Sequence, residues 1–323
     1  MILGSPGSSH RRPTTMRGPC WTSCSPSGTS PAETVVVRRS TGETGGHMRI
    51  SKLHGLRNDF LVLLDEHQDG PLDVGPELAR RLCDRRSGLG ADGLIHGTRP
   101  DAGSDADVVM HLFNADGSRA EVSGNGIRCL AQAVARSRGA EGRVVVVADS
   151  GRRETVVRPG TSPSDVVVEV DLGPVGPGPG LAAPLPLAVK ESGTADLGNP
   201  HVVAWLDLSP GDLRQVDLAQ IGPAVESSYP EGINLELIVP GPDPDVLVLR
   251  VWERGVGITE ACGSGACAAA ALAHGWGLVG PKVRVEMPGG AVDVELVEGR
   301  AVLHGPSVLV AEIELREGAV LDG

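Results

Sequence analysis

Two short segments hold the chemistry this sequence can do. SGNG at 123–126 and CGSG at 262–265 each set a proton-bearing side chain, Ser123 or Cys262, directly before a Gly-x-Gly turn. An apolar stretch of helical character follows each turn, IRCLAQAVARSR in one copy and ACAAAALAH in the other. Glycines at a helix start let a ligand approach the backbone closely. The first turn's unpaired N–H groups and the helix dipole attract an anion. The same dipole favours the thiolate of a cysteine at the helix start, which singles out Cys262. Two such turns facing one another would make a site for a small carboxylate, or for two faces of one carbon.

The turns are copies of one another. FNADGSRAEVSGNG (113–126) aligns with WERGVGITEACGSG (252–265), placing Phe113 on Trp252, Ser123 on Cys262, Gly124 on Gly263 and Gly126 on Gly265. Asn58 and Asn199 each precede a strand, at nearly the same separation as the two turns. This internal repeat predicts two similar halves across a cleft. Asn58, Asn114, Asn125, Asn199, His201, Asn234, Glu253 and Arg254 stand beside the repeated segments. Asparagines can hydrogen-bond both ammonium and carboxylate groups, and Arg254 suits bidentate carboxylate binding. Taken singly, each Gly-x-Gly is an ordinary turn and each asparagine a turn residue. No Gly-Lys-Ser/Thr follows either turn, and neither extends to GxGxxG, so phosphate-loop and dinucleotide readings fail.

The elements that must position these residues are mostly strands. Val-rich candidates fall at 60–64, 107–113, 143–148, 153–158, 165–171, 201–206, 233–239, 245–253, 282–286, 291–296 and 307–315, several with half-buried alternation. Helices are expected at 75–84, 124–138 and 263–274. Strands in meanders with few βαβ alternations predict an α+β fold. Nine of the fifteen residues at 172–186 are Gly or Pro, which reads as a linker or domain crossing.

Composition narrows the function further. The 323 residues carry a formal charge of −12, opposite to that of a phosphate-tracking protein, so no nucleic-acid partner is expected. No run of 18 apolar residues occurs, so no membrane span is expected. The six cysteines form no CxxC pair, and the histidines lack partners at ligand spacing, so no metal site is expected. Free thiols suit a reducing, cytoplasmic compartment, and Cys83, Cys129 and Cys267 read as packed small hydrophobes. Residues 1–47 are rich in Ser, Thr, Gly, Pro and Arg, with no signal-peptide core. They read as a disordered extension, with Met48 a candidate for the true start.

At these residues the sequence resembles the diaminopimelate epimerase family over nearly all of 48–323. The resemblance rests on KLHGLRNDF (52–60), GLGADG (88–93), FNADGS (113–118), SGNGIRC (123–129), LGNPH (197–201), EGIN (231–234), ERGVGITEACGSGA (253–266) and MPGG (287–290) in that order. It implies a cofactor-free α+β fold of two pseudo-symmetric domains, each an antiparallel sheet or barrel wrapped around a central helix. Residues 48–171 plus 309–323 would form the N-terminal domain and 172–308 the C-terminal one.

The activity implied is interconversion of L,L- and meso-2,6-diaminopimelate, a step toward lysine and peptidoglycan. Two cysteines would flank the Cα, one thiolate removing the proton while the other thiol donates from the opposite face. By motif, Cys262 matches the second cysteine. Asn58, Asn114, Asn199, Asn234, Glu253 and Arg254 match substrate contacts. Gly124, Asn125, Gly263 and Ser264 match the turns that hold the reacting carboxylate. His201 and Glu253 match residues that tune the thiols. The implied partner is a small amino-acid substrate; a homodimer is left open.

Three positions depart from the family pattern. Ser123 replaces the other cysteine, Gly93 a substrate-contacting Gln, and Ala311 a dimer-interface Tyr found in many members. A hydroxyl is far less acidic than a thiol of pKa about 8.5, so an alkoxide base is implausible near neutrality. Ser123 could still relay or donate a proton. Ser123 and Gly93 therefore leave two alternatives: a racemase or isomerase of another amino acid, independent of pyridoxal phosphate, or a non-catalytic amino-acid-binding paralogue.

Overall fold

The computed structural model describes residues 36–38, 47–120, 123–149, 151–182 and 184–316. The expectation for residues 1–47 falls almost wholly outside them. Within that segment only a short strand, β1 (Val36–Arg38), and His47 are described; β1 pairs in parallel with residues 312–314.

The first half runs β2 (His47–Gly55), β3 (Asn58–Leu64), α1 (Pro76–Cys83), β4 (Gly93–Thr98), β5 (Val108–Asn114), α2 (Gly124–Arg138), β6 (Gly142–Ala148), β7 (Gly151–Pro159) and β8 (Asp165–Pro174). After β9 (Gly176–Pro177) the pattern repeats as β10 (Val189–Asp196), β11 (Pro200–Leu206), α3 (Pro210–Leu213), α4 (Leu218–Glu226), β12 (Asn234–Pro240), β13 (Val246–Glu253), β14 (Gly257–Thr259), α5 (Gly263–Gly275), β15 (Lys282–Met287), β16 (Gly290–Val297) and β17 (Arg300–Arg316).

Each half is a closed barrel. In the first, β2 through β8 pair in sequence, and β17 seals the seam by pairing with both β8 and β2. In the second, β10, β11, β12, β13, β15, β16 and β17 pair in turn, and the end of β8 with β9 closes against β17 and β10. The registers repeat as well. Phe60 lies opposite Gly93 in a parallel β3–β4 pair, and at the corresponding place in the second barrel His201 lies opposite Asn234 in a parallel β11–β12 pair.

The two central helices fill the barrels. Ser123 caps α2, its Oγ accepting from the Gly126 N–H at 3.0 Å, and Gly139 ends the helix in the left-handed region (φ 64°). Nearly every α2 residue from Gly124 to Ala135 is buried, including Ile127 and Leu130. α5 is buried around most of its circumference. Its Ala266, Ala268, Ala269 and Ala270 keep it thin enough for strands to close around it. Val, Leu, Ile and Ala dominate the core, as the scarcity of aromatics requires. α1 covers the outside of the first barrel with Leu78, Ala79 and Leu82. Leu213 of α3 and Leu218 and Val225 of α4 cover the second.

Cys83, Cys129, Cys262 and Cys267 are free and buried. Burial pushes the thiols of Cys83 and Cys267 up to about 12 and that of Cys129 up to about 11. The unfolded chain gives up these protons near pH ~8.5, whereas the folded protein keeps them. Their contribution to stability is therefore whole below about pH 8.5 and is lost as pH climbs toward about 11–12. The thermal unfolding midpoint should fall between about pH 9 and pH 11, and should fall less in the double variant Cys83→Ala, Cys267→Ala. Equal pH slopes in the two proteins would contradict this account.

Candidate active site

The duplication brings Ser123 and Cys262 to equivalent places, each capping its barrel's central helix. Cys262 Sγ accepts from the Gly265 N–H at 3.4 Å, as Ser123 Oγ does from Gly126. The helix starts meet head to head. A Cβ built on Gly124 would stand 3.7 Å from the Gly263 Cα, and one on Gly263 would stand 3.6 Å from the Gly124 Cα. A methyl group at either position would make ordinary van der Waals contact with the facing glycine, so glycine in both copies keeps the space between the helix starts open to a ligand. The unpaired N–H groups of both first turns converge on one place, and a carboxylate is the natural occupant.

Around Cys262 the surroundings are polar and connected. Its Sγ lies 3.5 Å from Ser264 Oγ, which accepts from Asn199 Nδ2 at 3.2 Å. Asn199 Oδ1 lies 3.2 Å from His201 Nε2, and His201 Nδ1 lies 2.7 Å from Glu236 Oε1. A continuous line of hydrogen bonds thus joins the thiol to a fully buried carboxylate, whose other oxygen, Oε2, has no partner among the described residues. From the other side Glu253 touches the thiol, and the Thr259 hydroxyl donates to Glu253. Burial pushes the Cys262 thiol well above its ordinary value, and the charges of Glu253 and Glu236 push it further. The Ser264 hydroxyl and Gly265 N–H oppose them. Burial likewise raises the Glu253 carboxyl. Cys262 is therefore a thiol, ready to donate.

Ser123 sits in different company. Residues equivalent to the His201–Glu236 pair are Phe60 and Ile95 in the first barrel, once the two registers are aligned. A Cβ on Gly126 would lie 3.2 Å from Ser123 Cβ, 3.0 Å from Met110 Cε and 3.3 Å from Ile95 Cδ1. Among the described residues no titratable side chain hydrogen-bonds Ser123.

The remaining candidates divide into two groups. Leu56 and Arg57 both take left-handed φ (55° and 68°) in the two-residue turn between β2 and β3, which delivers Asn58 to the site. Asn58 Nδ2 donates to Asp92 at 2.9 Å, and Asn125 Nδ2 donates to Asn58 Oδ1 at 3.1 Å and to the Ala261 carbonyl at 3.3 Å. Asn125 therefore reaches the residue before Cys262. Asn234 donates to the Pro200 carbonyl at 2.9 Å and accepts from the Arg254 N–H at 2.9 Å. It ties the segments that carry Asn199 and Glu253. Two candidate side chains stand apart from this web: Asn114 bonds within its own turn to Ser118, and the Arg254 guanidinium donates to the Glu231 carbonyl at 3.2 Å.

Sequence reasoning missed Glu236, Asp92 and Thr259. Glu236 did leave a signal, a lone carboxylate inside the apolar strand NLELIVP. Gly93 also finds an explanation. A Cβ there would stand 2.8 Å from the Phe113 carbonyl and 3.2 Å from Phe60 Cδ1, so a Gln needs a displaced neighbour. Among the described residues, no group of three or more His, Cys, Asp or Glu side chains could hold a metal ion. No described helix is long and apolar enough to cross a membrane.

The fold is one shared with racemases and epimerases. A hydroxyproline epimerase from Agrobacterium vitis superposes with a TM-score of 0.57 at 16% identity, covering 83% of this chain and 91% of that one. A phenazine biosynthesis protein of the PhzF family from Bacillus anthracis gives 0.60 at 15% identity, covering 83% and 99%. Sequence comparison is more specific. The diaminopimelate epimerase family model matches residues 50–176 and 193–310. The diaminopimelate epimerase of Synechococcus elongatus is 37% identical over 287 residues, covering 81% of this chain and 96% of that protein. That of Mycolicibacterium smegmatis is 38% identical over 288 residues, covering 83% and 97%. The chain belongs to the diaminopimelate epimerase family.

Proposed function

We infer that the protein is an isomerase that interconverts L,L- and meso-2,6-diaminopimelate by moving the α-proton between opposite faces of one carbon. The observation that carries this reading is the placement of Ser123 and Cys262 as caps of two helices whose first glycines meet. A carboxylate held there receives the N–H groups of both first turns. Removing its α-proton sends the C–H electron pair toward the carboxylate and builds an enediolate. The same N–H groups then face more charge than in the substrate, so they lower the barrier.

Cys262 serves one face. It becomes the base when its proton passes to the Glu253 carboxylate that it touches. Ser123 serves the other face as a proton donor. Asn58, Asn114, Asn199, Asn234, Glu253 and Arg254 are the side chains for the substrate's amino groups and its distal amino-acid end.

The chemistry needs no pyridoxal phosphate. Each lysine is engaged elsewhere: Lys52 with Gly90 and Asp59, Lys190 with Asp207, and Lys282 with Glu295. The cytoplasm is the proposed location, lysine and peptidoglycan precursor supply the proposed role, and a homodimer the proposed assembly.

The test uses the full chain with L,L-diaminopimelate in D2O, followed by NMR. Loss of the α-proton signal and appearance of the meso isomer are expected. Neither exchange nor meso product at any enzyme concentration would overturn the reading.

A further inference from the structure

Arg128 is the one buried polar residue of α2 whose presence the fold does not explain. It is completely buried and remains a cation, although burial pulls its guanidinium down to about 10. Among the described residues no carboxylate pairs with it. Its hydrogen bonds go to neutral oxygens: Nη2 to Asn125 Oδ1 at 2.6 Å, Nη1 to the Gly124 carbonyl at 3.3 Å, and Nε to the Pro306 carbonyl at 3.2 Å. A buried charge without a counter-ion is costly. The barrel architecture does not demand it, since the alignment of the two turns puts Cys267 at the equivalent position in α5.

Room has been kept for it. A Cβ on Gly305 would stand 2.9 Å from Arg128 Nε, and one on Gly55 would stand 3.0 Å from Nη2. Its Nη1 lies 3.8 Å from where a Gly263 Cβ would be and 4.0 Å from that of Gly124. The charge thus sits directly behind both helix starts.

We propose that Arg128 is a positioning residue for the reacting carboxylate. It locks the Asn125 amide with its nitrogen toward the cleft, and the substrate carboxylate is the missing counter-ion of its charge. The inference rests on the reading of this site as one that binds an α-amino carboxylate. An amide can turn over and exchange its nitrogen for its oxygen. With Oδ1 held by Nη2, Asn125 presents only donors, already spent on Asn58 and Ala261 across the gap. Without Arg128 only the bonds to Asn58 and Ala261 hold the amide, and a turned amide would present its oxygen to a carboxylate, which repels it. The charge behind the helix starts also strengthens as an influence when the enediolate forms, because the developing charge lies on the same oxygens.

The experiment measures KM and kcat for L,L-diaminopimelate in the wild type, Arg128→Met, Arg128→Lys and Gly305→Ala. Thermal midpoints with and without substrate accompany the kinetics. Arg128→Met should raise KM by about 10–100-fold and lower kcat by about tenfold. Arg128→Lys keeps the charge but not the two-pronged grip, so most of kcat should return while KM stays high. Gly305→Ala displaces the guanidinium without removing it, and should raise KM about fivefold or more with kcat within about twofold. It keeps the question answerable if Arg128→Met does not fold. Wild-type KM in either a folded Arg128→Met or Gly305→Ala overturns the proposal. A wild type that neither exchanges the α-proton nor forms product instead sinks the functional reading, and the proposal with it.

Discussion

Replacing Ser123 with cysteine is expected to speed formation of meso-diaminopimelate from the L,L isomer by about 10²–10⁴, the usual yield of a well-placed acid–base group. The hydroxyl is confined to one role. It can give up a proton to a strongly basic carbon, but near neutrality almost none of it is alkoxide, so it serves as a base only in a vanishing fraction of molecules. A thiol titrates near ~8.5 and can do both. Ile95 and Met110 stand beside the Ser123 turn where the other barrel offers a connected polar line. Cysteine should keep the cap, since Cys262 Sγ makes the equivalent bond in α5, and the cost to stability should stay within about 1 kcal/mol. Product formation is measured by NMR in both directions, with the thermal midpoint alongside. An unchanged rate would take position 123 off the reaction path.

Cys262→Ala carries the opposite expectation, loss of both α-proton exchange and meso product by about 10³ or more. The substitution removes the only thiol capping a central helix. It also strands Glu253, whose carboxylate then has no thiol to deprotonate. The lost cap costs about 1 kcal/mol, a modest part of the roughly 5–15 kcal/mol typical of a folded domain. The variant should therefore fold and still be stabilised by diaminopimelate, since the glycine-led helix starts and asparagines remain. Exchange above about a tenth of the wild-type rate would place the proton transfer on another group.

Much of this site was legible because duplication made it so. The two helices begin where the repeated turns put them, at Gly124 and Gly263. The alternating strands lie within a residue or two of expectation, apart from β8, which runs on to Pro174, and β17, which begins at Arg300. The failures have physical causes. β10 reads VKESGTAD and has almost no apolar alternation, because most of it is exposed or half-buried and its pairing with β11 defines it. β4 reads GLIHGT, with glycines where Phe60, Leu64 and Leu130 press close. α4 was hidden by Gly222 and Pro223, a pair that usually ends a helix; here Gly222 packs beneath Trp252.

Chemical asymmetry between the halves was harder to see. Ser123 announced it, but the replacement of a His–Glu pair by Phe60 and Ile95 emerges only from aligned registers. Glu236 and Asp92 act through partners on other strands, His201 and Asn58, far enough along the chain that spacing rules do not connect them.

The long strand β17 has a consequence for synthesis. Its second part, Val308 to Arg316, pairs with His54 to His47, at the opposite end of the first barrel's chain order. The first barrel's opening strand is thus made early, and the strand that seals it leaves the ribosome only after the second barrel's residues have been translated. At about 5–20 residues per second that delay lasts roughly 10–50 seconds. Until then the edges of β2 and β8 stand open over an unfinished core, bare templates for pairing with another chain. Nascent chains stalled before Arg300 should therefore be held by chaperones, and release should require the stretch beyond Ser307.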